Sequence, residues 1–333
     1  MTTPSAEQIL QETIAKSAAA LEEERKKSPE EIVKANRARA RKIERHLKLP
    51  TLPVGVRFWR EGETIPDNAG TPPRRKYTYC QILSMIRFNA EEDRDITLIK
   101  QDDLTCHLAM GVLGYEDMPP NVTEGNSGIH FYDRDLCISA MATIPKIPFR
   151  VKAITIGALE NLPIVPDVIV MGVTPGRTNK VMDGAMWYKG GSFAVRYGNG
   201  CGACGNATAE PMTSDQVATL AFMCHGARRW GGFEDDELGC GVRIDKFDVW
   251  VAGMEATWLT GHSYPCAPAA VRHPRDASRA ERHEVRGSIP ILPGRLVRLA
   301  ATGAHGSYVR LPCAHCQSTS SPLPTHSLRL AVR

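Results

Sequence analysis

The feature that most constrains the fold is an apolar run, DVIVMG at residues 167–172, followed directly by a helix start. Almost every residue of the run is β-branched or apolar, which is typical of a strand that is covered on both faces. The turn residues at 174–176 favour a helix that reaches about residue 188, and the glycine pair at 190–191 favours its end. Residues 192–197 have the character of a second strand. This order of strand, helix and strand is typical of a unit of the parallel α/β kind.

The first 47 residues have the composition of helices. Ala, Glu, Lys, Gln and Leu dominate residues 5–47, and these are strong helix formers. Ser28 followed by Pro29 and Glu31 is a helix start, because each residue suits its position in the first turn. We therefore predict two helices, at roughly residues 5–26 and 29–47. They would form a helical arm that lies on the body or on a second subunit, so a homodimer through this arm is possible.

The body between the arm and residue 259 shows alternating strand and helix patterns. The segments at 53–59 and 96–100 favour strands, whereas 77–88 and 104–113 favour helices. With the unit described above, the body is predicted to be an α/β domain with a mixed or parallel sheet and flanking helices. The predicted boundaries are 1–49 for the arm, 50–259 for the domain and 260–333 for a tail.

The tail differs from the body in composition. Residues 261–333 contain ten arginines, no lysine and three acidic residues, whereas the rest of the chain has a formal charge of −3. Proline, histidine, serine and alanine recur there without a helical or strand period. Either a disordered tail or a segment translated from a shifted reading frame would have this character.

Composition also limits where the protein works. The N-terminus lacks the apolar stretch of a signal peptide, and no run of about 18 apolar residues predicts a membrane span. Ten cysteines in a chain without an export signal indicate reduced thiols and a cytoplasmic protein. A basic tail on a mildly acidic body does not by itself predict nucleic-acid binding.

Six segments resemble the domain-of-unknown-function family 169 in sequence, order and spacing. They are PVGVRF (53–58), YTYCQ (77–81), LTCHLAMGVLG (104–114), VPDVIVMGVTP (165–175), GNGCGACGNA (198–207) and MCHGARRWGGFEDDELGCGV (223–242). The resemblance covers roughly residues 50–258. It implies no general activity.

The resemblance implies recurrent positions at Cys80, Cys106, Cys204 and Cys224, and also at Arg228 and Glu237. This chain departs from the family pattern after Cys106, where His107-Leu108-Ala109 replaces a Pro-Gly-Gly-like continuation. It also has an additional cysteine, Cys201.

The cysteines are the strongest candidates for chemistry. Cys201 and Cys204 form a C-x-x-C pair, a spacing that lets both sulfurs face one metal. Cys80, Cys106 and Cys224 are isolated, but each follows polar or turn residues instead of lying in an apolar stripe. Together the five predict one thiolate site, and thiolates select iron–sulfur clusters or zinc. We expect an iron–sulfur cluster, with zinc as the alternative. Two other roles are left open for these cysteines: buried thiols that only fill the core, and reactive thiols that bind no metal.

The glycines around the C-x-x-C pair predict a cradle for a cofactor. Gly200, Gly202 and Gly205 would permit positive φ and close approach of backbone N–H groups to a bound anion or cluster. Formally they read G-x-G-x-x-G. A dinucleotide site is disfavoured, because Pro211 interrupts the helix that should receive the pyrophosphate and no acidic residue follows at the required distance.

Three polar residues near Cys224 are the predicted catalytic groups. His225 would donate a proton beside the thiolate site, and Arg228 would bind a small anionic substrate with both arms of its guanidinium. Within the acidic run at 234–237, solvated loop residues are expected except at Glu237, which is the third candidate.

These patterns predict a cysteine-ligated metal or iron–sulfur enzyme that acts on a small anionic substrate, of hydro-lyase or reductase type. A non-catalytic module that binds a metal or a ligand is the first alternative, and a thiol-based catalyst without metal is the second. Cys80, Cys106 and Cys204 should converge in space. Ferredoxin-like carriers bind their clusters through closely spaced cysteines, whereas here the ligands come from several chain segments that would form a pocket around the metal. We therefore expect any cluster to keep an open coordination position.

Overall fold

The computed structural model describes residues 5–88, 96–125, 131–197 and 201–259, and two short segments at 297–298 and 308–309. The chain divides into two compact units, Met1–His262 and Ser263–Arg333. The domain boundaries predicted at 49/50 and 259/260 stay predictions.

Two helices form the N-terminal arm, α1 (Ala6–Glu24) and α2 (Pro29–Leu47). At the start of α2, the Ser28 side chain accepts the Glu31 N–H, and the Glu31 carboxylate accepts the Ser28 N–H. This reciprocal capping satisfies two backbone donors that no helical carbonyl can reach. The helix start predicted from Ser28, Pro29 and Glu31 is confirmed.

The arm packs on the body of its own chain. The buried Asn36 side chain of α2 donates to the backbone oxygens of Leu162 and Ile164, both at 2.9 Å. Arg25, just after α1, forms an ion pair with Asp167 at 3.0 Å. Through these contacts the arm packs against the sheet-containing body of its own chain. The homodimer predicted through these helices stays a prediction.

Seven strands form a mixed sheet in the first unit. They are β1 (Val54–Arg60), β2 (Ile96–Ile99), β3 (Val151–Ala158), β4 (Val168–Val173), β5 (Val195–Tyr197), β6 (Ala218–Phe222) and β7 (Leu238–Arg243). Their order is β2-β3-β1-β4-β7-β6-β5. Every neighbouring pair is antiparallel except β5 and β6. The predicted α/β class with a mixed sheet is confirmed.

The helices after the arm are α3 (Tyr79–Arg87), α4 (His107–Val112), α5 (Pro120–Thr123), α6 (Arg134–Ala142), α7 (Pro175–Met186), α8 (Glu210–Thr213), α9 (His225–Gly231) and α10 (Phe247–Leu259). A π-helix spans Gly202–Ala209. Short 3-10 turns lie at Asp67–Ala69, Gln101–Asp103, Leu159–Asn161 and Ile244–Lys246.

The predicted strand–helix–strand unit is present as β4, α7 and β5, but its strands are not neighbours. β4 and β5 run in the same direction because β4 is antiparallel to β7, β7 is antiparallel to β6, and β6 is parallel to β5. The two later strands β6 and β7 are inserted between them. Local patterns predicted these elements, whereas the strand order depends on residues far along the chain.

The alternation of side chains along β4 separates two cores. Val168 and Val170 point to one face of the sheet, which we call the site face and which α3 and the π-helix cover. Ile169 and Met171 point to the opposite face, which the arm, α7 and α10 cover. All six residues of β4 are buried, as predicted for a strand covered on both sides.

Glycines on β7 let the π-helix lie directly on the site face. A Cβ atom at Gly241 would be 2.2 Å from the backbone oxygen of Ala207, and one at Gly239 would be 3.2 Å from the Ala207 Cβ. Real Cβ atoms do not approach a neighbour as closely as the first distance. The bare backbone of β7 therefore sets the position of the π-helix.

In the second unit, the described residues form β8 (Val297–Arg298) and β9 (Tyr308–Val309), which pair antiparallel. The rest of the predicted disordered or frame-shifted tail lies outside the described residues. Among the described residues, no helix has both the length and the apolar character needed to cross a bilayer.

Candidate functional site

Five cysteines line one cavity of about 290 Å³ on the site face. They are Cys80, Cys106, Cys201, Cys204 and Cys224. The cavity lies between α3, α4, the π-helix and α9. The structure thus brings together all the cysteines that the sequence selected as metal ligands, although they come from four separate segments of the chain.

Four of these cysteines lie at the start of a helix. Cys106, Cys201 and Cys224 are the N-cap residues of α4, the π-helix and α9, and Cys80 is the second residue of α3. The first turn of a helix has backbone N–H groups without helical partners. The Cys224 Sγ accepts one of them, from Ala227, at 3.4 Å. The local structure therefore offers hydrogen bonds to sulfur.

The π-helix holds the C-x-x-C pair at the buried end of the cavity. The Asn206 N–H donates to the Cys201 oxygen at 3.2 Å, five residues back. Cys201 and Cys204 are 3% and 4% exposed, whereas the other three cysteines are half-buried. The cavity therefore has a buried dithiol, with three further thiols nearer the solvent. Single π-turns are frequent at functional sites.

The electrostatics of the cavity favour protonated thiols while no cation is bound. Burial, and then the neighbouring Cys204 sulfur, raise the pKa of Cys80 and of Cys106. A thiol nucleophile needs the opposite, a lowered pKa. The described environment therefore lends no support to the thiol-based catalyst without metal, which stays an untested alternative.

The remaining lining residues are mostly apolar. They are Thr78, Tyr79, Leu108, Ala109, His225, Gly226 and Trp230. Within the described part of the chain, this lining contains no lysine, arginine, aspartate or glutamate. Sequence reasoning missed Tyr79 and Trp230. The signal for Tyr79 was its place directly before Cys80, whereas the half-exposed Trp230 follows Cys224 by six residues and had no local signal.

Tyr79 fixes α3 against the π-helix. Its hydroxyl forms a hydrogen bond of 2.9 Å with the Thr208 hydroxyl, and Thr208 donates to the Ala203 oxygen at 2.8 Å. All of these groups are buried. The contact connects the segment that carries Cys80 to the segment that carries Cys204.

The structure places the three predicted catalytic residues differently. His225 begins α9 and lines the cavity, as its predicted role requires. Arg228 is not among the lining residues. Its guanidinium donates to the backbone oxygens of Met223 and Glu234, at 3.3 and 2.6 Å, and to the Asp235 carboxylate. The anion-clamp role of Arg228 stays a prediction that these contacts do not support.

Glu237 also lies outside the lining of the cavity. Its carboxylate accepts from Arg87 at 2.6 Å and from the Glu234 N–H at 3.0 Å, and its side chain is 2% exposed. Gly172 on β4 leaves the room for it, since a Cβ there would be 2.1 Å from the Glu237 Oε1. The described contacts of Glu237 are those of a buried ion pair, and no contact with the cavity supports its predicted catalytic role.

The predicted glycine cradle takes a different form. Neither Gly202 nor Gly205 is among the described residues with positive φ, so that expectation is wrong for both. A Cβ at Gly202 would lie 2.8 Å from the Cys224 nitrogen, and the Gly205 N–H donates to the Cys201 oxygen. These glycines allow the π-helix to pack against the start of α9. Gly200 lies outside the described residues.

The donor set of the cavity consists of soft thiols, which both iron–sulfur clusters and zinc accept as ligands. In the described parts of the chain, no group of three or more Cys, His, Asp or Glu side chains is arranged to hold one metal ion. The cysteines of an iron–sulfur cluster bind different irons, so their sulfurs do not have to meet at one point. The soft thiol donors suit that chemistry. Both the iron–sulfur cluster and zinc stay predictions.

The chain matches a known protein family over most of the first unit. The model of the DUF169 family, described as uncharacterised ArCR, matches residues 42–253, which include all five cysteines of the cavity. An uncharacterised protein of Methanocaldococcus jannaschii is 23% identical over 235 residues, which cover 68% of this chain and 97% of that protein. No solved structure matches the chain. The matched span includes every strand of the seven-stranded sheet, and the chain belongs to the DUF169 family.

Proposed function

We propose that this protein is a cysteine-ligated iron–sulfur enzyme that acts on a small molecule, of hydro-lyase or reductase type. One observation carries the proposal: five cysteines from four separate segments line the same cavity. Cysteines that serve only as small apolar core residues are not expected to line one cavity together. Cys240, for example, packs in the core on the opposite face of the sheet.

The ligands in this proposal come from the five cavity cysteines, Cys80, Cys106, Cys201, Cys204 and Cys224. Four cysteines close the common clusters, so a cluster with an open coordination position would use three of the five. When bound, a cluster with an open coordination position supplies a Lewis acid or an electron carrier.

The chain's own residues would prepare the cavity for this chemistry. Backbone N–H groups at the helix starts, such as the Ala227 N–H on Cys224, stabilise the thiolate form of the ligands. Leu108, Ala109 and Trp230 give the cavity apolar walls, which would lower the local polarity around a bound cluster. His225 lines the cavity and is the proton donor in this proposal.

The volume of the cavity limits the substrate. About 290 Å³ is at the lower end of the range for ligand pockets, so the substrate would be small. The sequence analysis predicts that the substrate is an anion, and the described lining of the cavity contains no cationic side chain that would support this prediction. The cytoplasmic location is part of the same proposal.

The second candidate is a non-catalytic module that holds a cluster or a metal. The observation that favours it is the lining itself: apart from the thiols and Tyr79, His225 is the only titratable side chain described there. An enzyme that protonates a leaving group could use His225 alone, whereas a storage or transfer module needs none.

Anaerobic purification of the full chain tests the proposal, with iron, sulfide and zinc measured per chain and the visible spectrum recorded. Iron and sulfide in equal amounts, with a spectrum that small carboxylates perturb, would support the enzyme. A cluster that no small molecule perturbs would favour the module. A chain that holds no metal after anaerobic reconstitution would contradict both.

A further inference from the structure

A second cavity, of about 460 Å³, lies between the arm and the body, away from the cysteines. We call it the seam cavity. Its lining residues are Arg25, Lys27, Pro29, Ile32, Arg57, Trp59, Thr64, Pro66, Asn68, Pro163, Ile164 and Val165. The volume lies within the range of small-molecule sites, and apolar side chains form most of its walls.

Three cationic side chains line the seam cavity, and the carboxylates that pair with two of them, Glu22, Glu63 and Asp167, lie outside its lining. Arg25, Lys27 and Arg57 face it, and among the described lining residues there is no aspartate or glutamate. Thr64 and Asn68 add hydrogen-bonding groups. Apolar walls with cations and a few polar groups suit an amphipathic anion, since the apolar body fills the cavity and the anionic group meets the cations.

Carboxylates outside the lining hold both arginines in place. The Asp167 Oδ1 accepts from Arg57 at 2.6 Å and from Arg25 at 3.0 Å, and its Oδ2 accepts the Phe58 N–H at 2.8 Å. The Arg57 guanidinium also lies over the Trp59 ring, 5.0 Å from its centroid. Side chains that are already fixed lose little entropy when a ligand binds.

Lys27 supplies the cation with a free ammonium group. It is exposed, and within the described residues its side chain has no hydrogen-bond or ion-pair partner. Its neighbour Lys26 is also exposed, but Lys26 pairs with Glu23 at 2.6 Å and does not line the cavity. Substituting Lys27 and Lys26 in turn therefore distinguishes a role in the cavity from a general effect of surface charge.

We infer that the seam cavity is a binding site for a small organic anion, a molecule with one carboxylate or phosphate group on an apolar body. The ligand would contact the arm through Arg25 and Lys27 and the body through Arg57. It would thereby fasten the arm to the sheet. This inference does not depend on the chemistry of the cysteine cavity.

Thermal unfolding and calorimetric titration of the full chain test it, at constant ionic strength, with benzoate, phenyl phosphate and the neutral benzamide. We expect a saturable rise in melting temperature with at least one of the two anions and none with benzamide. Lys27→Glu should weaken that binding by about tenfold or more, because it reverses a charge at the site. Lys26→Glu should leave the affinity within about twofold, because Lys26 lies outside the lining.

The relative affinities of benzoate and phenyl phosphate identify the anionic group that the site prefers. The inference is overturned if neither anion gives a saturable rise. It is equally overturned if benzamide binds as well as the anions, or if Lys27→Glu binds them unchanged.

Discussion

The Nη2 of Arg87 lies 2.6 Å from the Oε1 of Glu237, in an ion pair that is buried from solvent. Arg87 ends α3, which carries Cys80 at its start, and its Nη1 donates to the Gly231 oxygen at 3.0 Å. Gly231 ends α9, which follows Cys224. The pair therefore ties together the far ends of the two helices whose starts carry cavity cysteines.

Glu237→Ala should destabilise the protein by about 3–5 kcal/mol, because it leaves the Arg87 charge buried without a counter-ion. Urea unfolding of the metal-free chain measures the free energy of unfolding. The exposed Asp236→Ala is the control, and its effect should stay within about 0.5 kcal/mol. A loss below about 1 kcal/mol for Glu237→Ala would show that the pair does not hold these helices.

Local chemistry explains which parts of the fold could be predicted. The start of α2 follows from Ser28 and Glu31, three residues apart, and β4 follows from the composition of its own six residues. The insertion of β6 and β7 between β4 and β5 has no local signal. Strand order is decided by packing between distant segments, which a single sequence does not display.

The same distinction holds for the site. The polar settings of the cysteines and the family resemblance were enough to select the five that line the cavity. The role of Glu237 could not be predicted, because its partner Arg87 is 150 residues away. Nor could the depth of Cys201 and Cys204, which depends on the glycines of a distant strand, β7.

Gly241→Ala should destabilise the protein by about 1–3 kcal/mol, because its Cβ would lie 2.2 Å from the Ala207 oxygen and push the π-helix off the sheet. Gly176→Ala in α7 is the control, since a Cβ there meets no atom within 4 Å and should be neutral or slightly stabilising. The prediction fails if thermal unfolding finds equal stabilities for the two variants.

The metal-free thiols should react slowly at neutral pH. Burial and the neighbouring Cys204 raise the pKa of Cys80 and Cys106, so the reactive thiolate is scarce until the pH passes the ordinary thiol range. Alkylation by iodoacetamide, followed by mass spectrometry from pH 7 to pH 10, measures this. Alkylation of Cys80 at pH 7 as fast as in the unfolded chain would contradict it.

The same shifts predict how stability depends on pH. The folded pKa lies above the unfolded value of about 8.5, so the contribution to stability is complete below that pH. It is lost as the pH rises towards the folded pKa, because only the unfolded thiols ionise. Denaturant unfolding of the metal-free chain at pH 7.5 and 9.5 should show the decrease, and a rise in stability would have the wrong sign.

The most direct test of the account is the iron and sulfide content of single-cysteine variants after anaerobic reconstitution. Among Cys80→Ala, Cys106→Ala, Cys201→Ala, Cys204→Ala and Cys224→Ala, we predict that three lose most of the cluster, because an open coordination position leaves three cysteine ligands. Cys240→Ala, on the opposite face of the sheet, should keep the wild-type content. Equal iron and sulfide in the five cavity variants and the control, or none in the wild type, would contradict the assignment of the cavity as a cluster site.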